Sequence, residues 1–520
     1  MIRRRWPLRL IDTVVAGQVK SWRQRKLVWV GAVALVLALL GWLFLDSILN
    51  TIVHYKGGQV IGAQISAATK DNPLDPAKFE TAPMVLGKMA TGGQPLGRWS
   101  EGANFDGIAP MPWLKDPVNW YPKKEDVQPD EIRVIFMGTS PLIRPGQMGT
   151  SIYVQLGNGK NFLFDFGPGS IANYLAAGIP FNQINDIYLT HLHWDHVASV
   201  PYLYAFGAWG GRWHEKLRIT GPSGDTPRLG ARHMMDMMKE MLIWHRQSFS
   251  VLPTGDGWNM DINEFDYKDD GGLVYDKDGV KIRHWRQSHS EDGASAYRLD
   301  WNGMCVAFTG DGRPNSLTIK YAKGCDLLIT EIQPEIVNVM AQTMGALPVL
   351  ARATLDNFHN PGSAAGYLYE QTKPRLAMGT HVNYDEYSVA ELYAEVRNHY
   401  KGPFRLGAPD MVVVNMTKDK IWVRDGVLPR FPRIATPQFD VHPGGGLTIP
   451  APEFTRQQLQ QQSIRDAEID PKLYYLPGQR PETLDDWPTH KQIYVPYDLV
   501  PATMRKPQHA AANPQPTGGK

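Results

Sequence analysis

The chain has 520 residues, of which 43% are hydrophobic and 20% are charged, and its formal net charge is +2. This composition excludes a wholly disordered chain and a collagen-like repeat. The first 26 residues carry eight Lys or Arg and one Asp, so the remainder carries 46 basic against 51 acidic residues; an acidic body argues against a nucleic-acid partner, which needs a positive face.

The N-terminal region predicts a membrane anchor. After the basic segment 1–26, an uncharged apolar run of 19 residues extends from Leu27 to Leu45, close to the ~20 residues that cross a bilayer as a helix. We assign the anchor to residues 27–49 and expect a single pass through the inner (cytoplasmic) membrane. Because basic residues precede the run, the body is expected on the periplasmic side. A cleaved signal peptide is the alternative, but its apolar region is shorter, ~7–15 residues.

The remaining chain divides by composition into three segments. Residues 50–129 are rich in Gly, Pro and aromatic residues, and we expect them to cover the main domain rather than to form a flexible linker. Residues 130–430 are expected to form the catalytic domain. Residues 431–520 are rich in proline and predict an arm over the domain, with a disordered end from about residue 505.

Short β-branched runs and helical stretches alternate in the central segment. This pattern predicts two packed sheets with helices outside them, which is an α/β sandwich. The predicted strands are Ile132–Met137, Ile152–Gln155, Phe162–Asp165, Asp186–Thr190, Leu217–Thr220, Ala296–Trp301, Met304–Thr309, Leu327–Thr330 and Met411–Asn415. The predicted helices are Arg228–His245, Ser363–Gln371 and Ser388–Tyr400.

Two further features of the central segment have competing interpretations. The helix Arg228–His245 carries five methionines; we expect core packing, with contact to an apolar substrate or a membrane as the alternative. Cys305 and Cys325 lie in apolar, strand-like stretches. Two buried free thiols are expected, with a disulfide as the alternative in an oxidising compartment.

The sequence Thr190-His191-Leu192-His193-Trp194-Asp195-His196 carries the strongest chemical signal. It follows the apolar run Ile187 to Leu189, where a strand gives way to a loop. Histidine binds zinc through a ring nitrogen and aspartate through oxygen. Four such residues in one tight turn cannot all saturate one ion, so the cluster predicts two metal ions. A surface cluster of histidines is the alternative, but histidine supplies only 15 of the 520 residues.

Three later residues are candidate ligands at similar positions. His289, Asp311 and His381 each stand where a predicted strand gives way to a loop. Catalytic metal sites take about three protein ligands per ion and leave room for water. Each of the three would more often be structural by itself, but together with the first cluster they favour a dinuclear site.

These motifs resemble the metallo-β-lactamase superfamily, and within it the ribonuclease Z-like and arylsulfatase-like branch, over about Arg133 to Asn415. The first cluster is very specific for the superfamily, while the other matches place the branch less firmly. Those other matches are Phe136-Met137-Gly138-Thr139-Ser140-Pro141, Phe164-Asp165-Phe166-Gly167-Pro168-Gly169, Gly221-Pro222-Ser223-Gly224, Phe308-Thr309-Gly310-Asp311 and Phe358-His359-Asn360-Pro361-Gly362-Ser363-Ala364-Ala365.

The resemblance implies a four-layer αββα metallo-β-lactamase sandwich and a set of ligands. It assigns one ion to His191, His193 and His289, and the other to Asp195, His196 and His381. Asp311 would bridge the two ions, and Asp165 would orient ligands from behind. The expected cofactor is a pair of divalent ions, zinc in the first place, with iron or manganese as alternatives.

This sequence also differs from the ribonuclease Z pattern in one respect. Ribonuclease Z enzymes carry a long tRNA-clasping arm between the third-histidine motif and the bridging Asp. Here His289 and Asp311 are only 22 positions apart, and two predicted strands already occupy this stretch. A small-molecule ester is therefore the expected substrate, and the sequence does not fix the oligomeric state.

The predicted function is metal-assisted hydrolysis of a phosphodiester, sulfate or other ester by a metal-bridging hydroxide. Asp195 is expected to orient the hydroxide, and His359 to stabilise developing charge or protonate the leaving group, unless His359 is merely structural. Tyr384 is a candidate substrate contact. For four tryptophans core packing is favoured over an aromatic pocket at the site: Trp194, Trp209, Trp213 and Trp285.

Other functions remain open on the same scaffold. An iron-dependent oxidoreductase or oxygenase would require O2, and a ribonuclease Z-type endoribonuclease would require a tRNA surface. A non-catalytic binding module would be expected to have lost ligands, whereas all seven are present. β-Lactam cleavage is disfavoured because that branch usually lacks the Phe308-Thr309-Gly310-Asp311 element.

Overall fold

The computed structural model describes residues 119–336, 341, 345–385, 388–429, 432, 435–454, 466–470, 473–474 and 492–506. The predicted basic N-terminus, the anchor and most of the covering segment lie outside these residues, as do parts of the predicted C-terminal arm. Within the described ranges, every helix is too short or too polar to cross a membrane.

The first sheet has nine strands in the described residues. Its order is β1-β16-β15-β2-β3-β4-β5-β6-β7, and β4 to β7 run parallel to one another. The strands are β1 (Asn119–Trp120), β2 (Ile132–Gly138), β3 (Ser151–Leu156), β4 (Asn161–Phe164), β5 (Asp186–Tyr188), β6 (Leu217–Pro222), β7 (Met260–Phe265), β15 (Val412–Met416) and β16 (Ile421–Gly426).

The second sheet has seven strands in the same ranges. Its order is β14-β13-β12-β11-β10-β9-β8, and β11 to β14 are parallel. The strands are β8 (Leu273–Lys277), β9 (Val280–Arg286), β10 (Ser295–Trp301), β11 (Met304–Phe308), β12 (Leu327–Glu331), β13 (Leu376–Thr380) and β14 (Phe404–Leu406). A separate ribbon pairs β17 (Gly446–Ile449) with β18 (Ile493–Pro496).

Helices cover the outer faces of both sheets. They are α1 (Ser170–Ala176), α2 (Trp194–Val197), α3 (Val200–Gly207), α4 (Ala231–Met241), α5 (Ile243–Ser248), α6 (Ser316–Ala322), α7 (Pro348–Phe358), α8 (Gly362–Thr372) and α9 (Ser388–Arg397). Short 3-10 turns occupy Phe181–Gln183, Pro227–Leu229, Gly255–Trp258, Tyr497–Leu499 and Ala502–Met504.

Strand β2 shows why the layers form. Its residues Ile132, Val134 and Phe136 are buried against the second sheet, whereas Ile135 and Met137 are buried against helices. A strand that is apolar on both faces must be covered on both sides. A third cluster buries the outer face of the second sheet under α8 and α9, so the predicted α/β sandwich is confirmed.

The methionine-rich helix differs from its prediction. The prediction of a single helix from Arg228 to His245 is wrong, because Leu242 leaves helical geometry and separates α4 from α5. Met235 and Met238 pack in the core, as expected. Met237 and Met241 are exposed.

Cys305 and Cys325 form a disulfide, so the expectation of two free thiols is wrong. Cys305 lies in β11 and Cys325 two residues before β12, and these strands pair in parallel. The pairing brings the two Cα atoms to 5.1 Å, within the range that a disulfide requires. Strand pairing, which the sequence pattern did not reveal, therefore decides the state of the cysteines.

The disulfide closes a loop with a sequence separation of 20 residues. Replacing both cysteines with alanine should lower the free energy of unfolding by about 3 kcal/mol, because the open loop gains entropy in the unfolded chain. Urea denaturation measures this loss. Thiol titration of the denatured, unreduced protein should detect no free thiol, and two titratable thiols would contradict the pairing.

Asp410 is a half-buried carboxyl that fixes the loop following β2. Its Oδ1 accepts a hydrogen bond from Thr139 Oγ1 (2.8 Å), and its Oδ2 accepts from Met148 N–H (2.7 Å) and Asn173 Nδ2 (2.9 Å). Burial raises the pKa of Asp410 to about 7 although these donors oppose the rise. Asp410 thus joins the loop from Thr139 to Gly149 to helix α1.

The raised pKa predicts that folding stability falls as the pH rises from about 4 to about 7. In this window the folded chain holds a proton on Asp410 that the unfolded chain has released. Asp410→Asn is neutral, and its amide can donate to Thr139 while its oxygen accepts from Met148 and Asn173. The variant should flatten this part of the pH profile and exceed the parent in stability at about pH 8, by on the order of 1 kcal/mol or more.

Urea unfolding midpoints across this pH range measure the effect. Asp276→Asn, at an exposed position, is the matched control and should reproduce the parent profile. Parallel profiles for Asp410→Asn and the parent would contradict the raised pKa.

Candidate metal centre

The carboxyl ends of parallel strands from both sheets meet at one edge of the sandwich. Asp165 directly follows β4, and His191 follows β5 at a distance of three residues. From the second sheet, Asp311 follows β11 and His381 directly follows β13. Such edges collect functional side chains because the chain leaves each strand there as a loop.

Gly310 allows the two sheets to approach at this edge. Its φ is +60°, and a Cβ atom there would lie 2.6 Å from the Cβ of Thr190. Any larger residue would be strained and would push the loop before Asp311 away from the loop before His191. Glycine is therefore required where ligand-type residues of the two sheets converge.

The first donor cluster consists of three imidazoles. His193 Nδ1 lies 3.0 Å from His191 Nε2 and 3.1 Å from His289 Nε2. The outward-facing nitrogens have other partners: His289 Nδ1 donates to the Phe358 carbonyl (2.8 Å), and His193 Nε2 lies 3.0 Å from Ser290 Oγ. Three nitrogens that face one point can bind a cation such as zinc.

The second donor cluster combines two imidazoles with two carboxylates. Asp311 Oδ2 lies 3.2 Å from His196 Nε2 and 3.1 Å from His381 Nε2. Asp195 Oδ2 lies 3.4 Å and 3.0 Å from the same two nitrogens. These four donor atoms all lie within 4.8 Å of one another, which is a second arrangement suited to a cation.

Asp311 connects the two clusters. Its Oδ2 belongs to the second cluster, while its Oδ1 is buried and has no hydrogen-bond partner in the described residues. His191 of the first cluster also contributes to lowering the pKa of Asp311. A buried carboxylate oxygen without a partner is costly, and a cation at the first cluster would satisfy it. The residues therefore fit a pair of divalent ions with Asp311 between them.

Asp165 lies behind the second cluster, where the sequence predicts it. Its Oδ2 accepts hydrogen bonds from His196 Nδ1 and Thr190 Oγ1, both at 2.7 Å, and its Oδ1 accepts from the Thr190 N–H. These contacts fix the orientation of the His196 ring and leave Nε2 directed at the centre. Carboxylates commonly orient metal-binding histidines in this way.

Glu331 is a site residue that sequence reasoning missed. It ends the fully buried strand β12, its Oε1 accepts from the Gly312 N–H (2.6 Å), and its Oε2 lies 2.7 Å from His359 Nδ1 and 3.4 Å from His381 Nδ1. It was missed because it belongs to no sequence motif of metal-ligand residues. The available signal was a lone carboxylate at the end of an apolar strand, LLITE.

His359 reaches the centre from the end of helix α7. Its ring stacks near the ring of His381 at a centroid distance of 5.8 Å and lies 5.4 Å from that of His289. The hydrogen bond from Nδ1 to Glu331 fixes the ring and leaves Nε2 as the nitrogen that a substrate could contact. Burial opposes the charged ring, but Glu331 outweighs it and raises the pKa of His359.

The charges of the centre follow from burial and from the carboxylates. Burial lowers the pKa of His191 and His193, which favours the neutral rings that bind metals. At His381, burial is outweighed by Asp311, Asp195 and Glu331, which raise its pKa to about 10. The pKa values of Asp195 and Asp311 are lowered in spite of burial, chiefly by His196. The cluster thus holds carboxylates as anions that cations can balance.

Several candidate contacts lie elsewhere. Tyr384 is partly buried and packs against the core under the second sheet, and its role as a substrate contact stays a prediction. Three tryptophans have structural roles, as favoured: Trp209 stacks on Phe249, Trp213 stacks on Phe439, and Trp285 is buried and donates to Thr318. Trp194 instead has 59% of its surface exposed beside the centre.

Comparisons with known proteins agree with these motifs. The family model of the metallo-beta-lactamase superfamily matches residues 144–259. Ribonuclease Z of Mycobacterium avium (strain 104) is 30% identical over 223 residues, which are 41% of this chain and 74% of that protein. Ribonuclease Z of Methanothermobacter thermautotrophicus is 36% identical over 248 residues, covering 38% of this chain and 74% of that protein.

Among solved structures, the metallo-beta-lactamase fold protein YhfI from Bacillus subtilis matches with 17% identity and a TM-score of 0.41. The match covers 55% of this chain and 100% of that chain.

The two clusters predict two equivalents of zinc per folded chain. Asp311→Asn keeps the shape of the side chain but removes the shared anion, so it should bind at most one equivalent. Mass spectrometry of the metal content after dialysis against zinc and then against buffer measures this change.

Asp276→Asn is the control, since it removes an exposed carboxylate outside either cluster, and it should keep both equivalents. Circular dichroism verifies that each variant is folded. A folded parent protein that retains no metal would contradict the centre.

Proposed function

This chain belongs to the metallo-β-lactamase superfamily, in its ribonuclease Z-like branch, and we propose that it is a two-metal hydrolase of a phosphodiester, sulfate or other ester. The observation that carries the proposal is the pair of donor clusters at one edge of the sandwich, one formed by three imidazoles and the other by two imidazoles with Asp195 and Asp311. His191, His193 and His289 would hold one ion, and Asp195, His196 and His381 the other. Zinc suits these ligands best, with iron or manganese as alternatives.

Divalent ions held by these residues would supply Lewis-acid polarisation of the ester and a bound water of lowered pKa. The protein must orient the attacking water, neutralise developing charge and protonate the leaving group. Asp195 is suited to the first task, because its carboxylate is partly exposed at the mouth while one oxygen lies in the second cluster. It can accept a hydrogen bond from the water and so align it with the ester.

His359 and Glu331 are suited to the proton transfer. Glu331 is itself fixed by the Gly312 N–H, and it accepts from His359 Nδ1. The imidazole is thereby held in one orientation and favoured in its protonated form. Nε2 can then donate a proton to the departing oxygen while Glu331 stabilises the ring, as expected for a general acid.

The named relatives favour a second candidate, a ribonuclease Z-type endoribonuclease. Against it, the stretch from His289 to Asp311 is occupied by β10, a tight turn and β11, with no inserted arm. The body is also net acidic, which disfavours a polyanion. A small ester therefore remains the preferred substrate, and precursor tRNA serves as the comparison substrate in any assay.

We also propose that the body acts on the outer side of the cytoplasmic membrane. The basic residues 1–26 and the apolar run Leu27 to Leu45 support an uncleaved anchor with this orientation. The disulfide between Cys305 and Cys325 supports an oxidising compartment as well.

The role of His359 predicts a dependence on the leaving group. His359→Ala should reduce kcat for methyl phenyl phosphate by roughly 10²–10⁴-fold, the usual contribution of general acid catalysis. It should reduce kcat for methyl p-nitrophenyl phosphate much less, because that leaving group departs without a proton. Glu331→Gln should show the same selectivity in weaker form, since it leaves His359 in place.

His214→Ala is the matched control, because His214 is exposed and precedes β6 at the opposite edge. Bis(p-nitrophenyl) phosphate, p-nitrophenyl sulfate and p-nitrophenyl acetate identify the bond type, and turnover without O2 distinguishes a hydrolase from an oxygenase. Equal losses with both leaving groups would show that His359 is not the general acid. Absence of turnover with all esters in the zinc-loaded protein, with cleavage of precursor tRNA, would favour the second candidate.

A further inference from the structure

Trp194 presents an unusual apolar surface at the metal centre. It stands between His193 and Asp195, and 59% of its surface is exposed, whereas Trp209, Trp213 and Trp285 pack against other side chains. Since consecutive Cα atoms are about 3.8 Å apart, its position is fixed by two residues whose side chains enter the donor clusters. The backbone of Trp194 therefore lies within the ligand loop, and its exposed indole is accessible to a molecule that approaches this loop.

A loop beside Trp194 exposes two further apolar side chains. Leu142 and Ile143 are 49% and 58% exposed near the start of the segment from Thr139 to Gly149. The end of this segment packs against the ligand loop, because a Cβ on Gly149 would lie 2.8 Å from the backbone oxygen of Asp195. Asp410 fixes the same segment through Thr139 and Met148. The segment that carries these two side chains is thus anchored at both ends, and its end at Gly149 contacts the ligand loop.

The same loop carries an uncompensated cation. Arg144 is half-buried and donates a hydrogen bond to Asn383 Oδ1, and Asn383 is two residues after His381. Arg144 forms no ion pair within the part of the chain that the structure describes. The contact with Asn383 places this guanidinium at the loop that follows His381, and arginine is suited to bind an oxyanion because it presents several donors in a fixed plane.

We propose that the substrate is an anionic ester, of the phosphate or phosphonate class, that carries one apolar aromatic or short aliphatic group. Arg144 binds the anionic oxygen that faces away from the ions, and Trp194 with Leu142 and Ile143 covers the apolar group. This inference rests on the proposed hydrolase function and narrows its substrate class. Three apolar side chains on two adjoining segments match one ring or a short chain, which excludes water from the ester as it binds.

The test measures how tightly two phosphonates bind to the zinc-loaded full chain, which is purified in detergent. The two compounds are phenylphosphonate and methylphosphonate, and both resist hydrolysis. Isothermal titration calorimetry should show that the parent protein binds phenylphosphonate at least about tenfold more tightly than methylphosphonate. Trp194→Ala should abolish this preference and leave the affinity for methylphosphonate unchanged. Equal affinities in the parent, or a preference that survives in Trp194→Ala, would overturn the apolar part of the proposal.

Arg144→Gln separates the charge from the apolar surface. It should weaken both phosphonates by a similar factor, about tenfold, and preserve the preference for phenyl. Unchanged binding of both would overturn the role of Arg144. Trp244→Ala is the matched control for Trp194, because Trp244 is 80% exposed on α5, and it should bind both phosphonates like the parent.

Zinc content verifies that each variant keeps its centre. If Trp194→Ala loses zinc, the double variant Leu142→Ser with Ile143→Ser replaces it, since these residues are not adjacent to a ligand in sequence, and it should also reduce the phenyl preference. A different result would contradict the proposed hydrolase function, namely a zinc-loaded parent protein that turns over no ester. The phosphonate preference is a binding measurement, so it can be lost while hydrolysis persists.

Discussion

Donor atoms from two different sheets have to meet within a few ångströms, and the apolar layer between the sheets sets their separation. The inner faces of β2, β3 and β4 pack there against those of β9, β11 and β12. Because packed interiors deform little, this layer fixes how far Asp311 and His381, on one sheet, lie from His191 and His196, on the other. The centre is therefore a consequence of sheet packing, and Gly310 removes the one Cβ that would hold the loops apart.

Around this centre, a ring of buried hydrogen bonds determines which atom of each ligand faces inward. Asp165 holds His196, the Phe358 carbonyl holds His289, and Glu331 lies behind both His359 and His381. The carboxylates carry negative charge into a buried space, which is costly unless cations balance it. In the absence of metal, protonated imidazoles such as His381 can provide this balance. With metal bound, the ions take over the role.

The chemistry of the centre and its choice of substrate depend on different residues. The donors lie in segments that leave the ends of packed strands, whereas the residues proposed to contact the substrate, Arg144, Leu142 and Ile143, lie on a separate loop. A fold of this kind supports many activities through such variation. The relatives named ribonuclease Z thus inform the type of reaction more than the identity of the substrate, and the absence of an insertion between His289 and Asp311 is consistent with this distinction.

The sequence by itself determined the type of fold, and it predicted a ligand set whose side chains the structure brings together. His191, His193, Asp195 and His196 are neighbours along the chain, so their spacing was visible. His289, Asp311 and His381 were candidates because they follow predicted strands, and the resemblance assigned their roles. Strands such as β2 and β11 were predicted within one or two residues because their apolar periodicity is local. Short or polar strands such as β7 and β8 were missed because tertiary pairing, rather than local pattern, makes them strands.

Only the tertiary structure decided which distant groups touch. Glu331 has no motif, and its role depends on the parallel pairing of β12 with β13, which places it behind His381. The same kind of pairing joins Cys305 to Cys325, and the packing partly buries Tyr384 against the core while it leaves Trp194 exposed. These outcomes depend on contacts between residues far apart in the chain, whose energies no local pattern of side chains records.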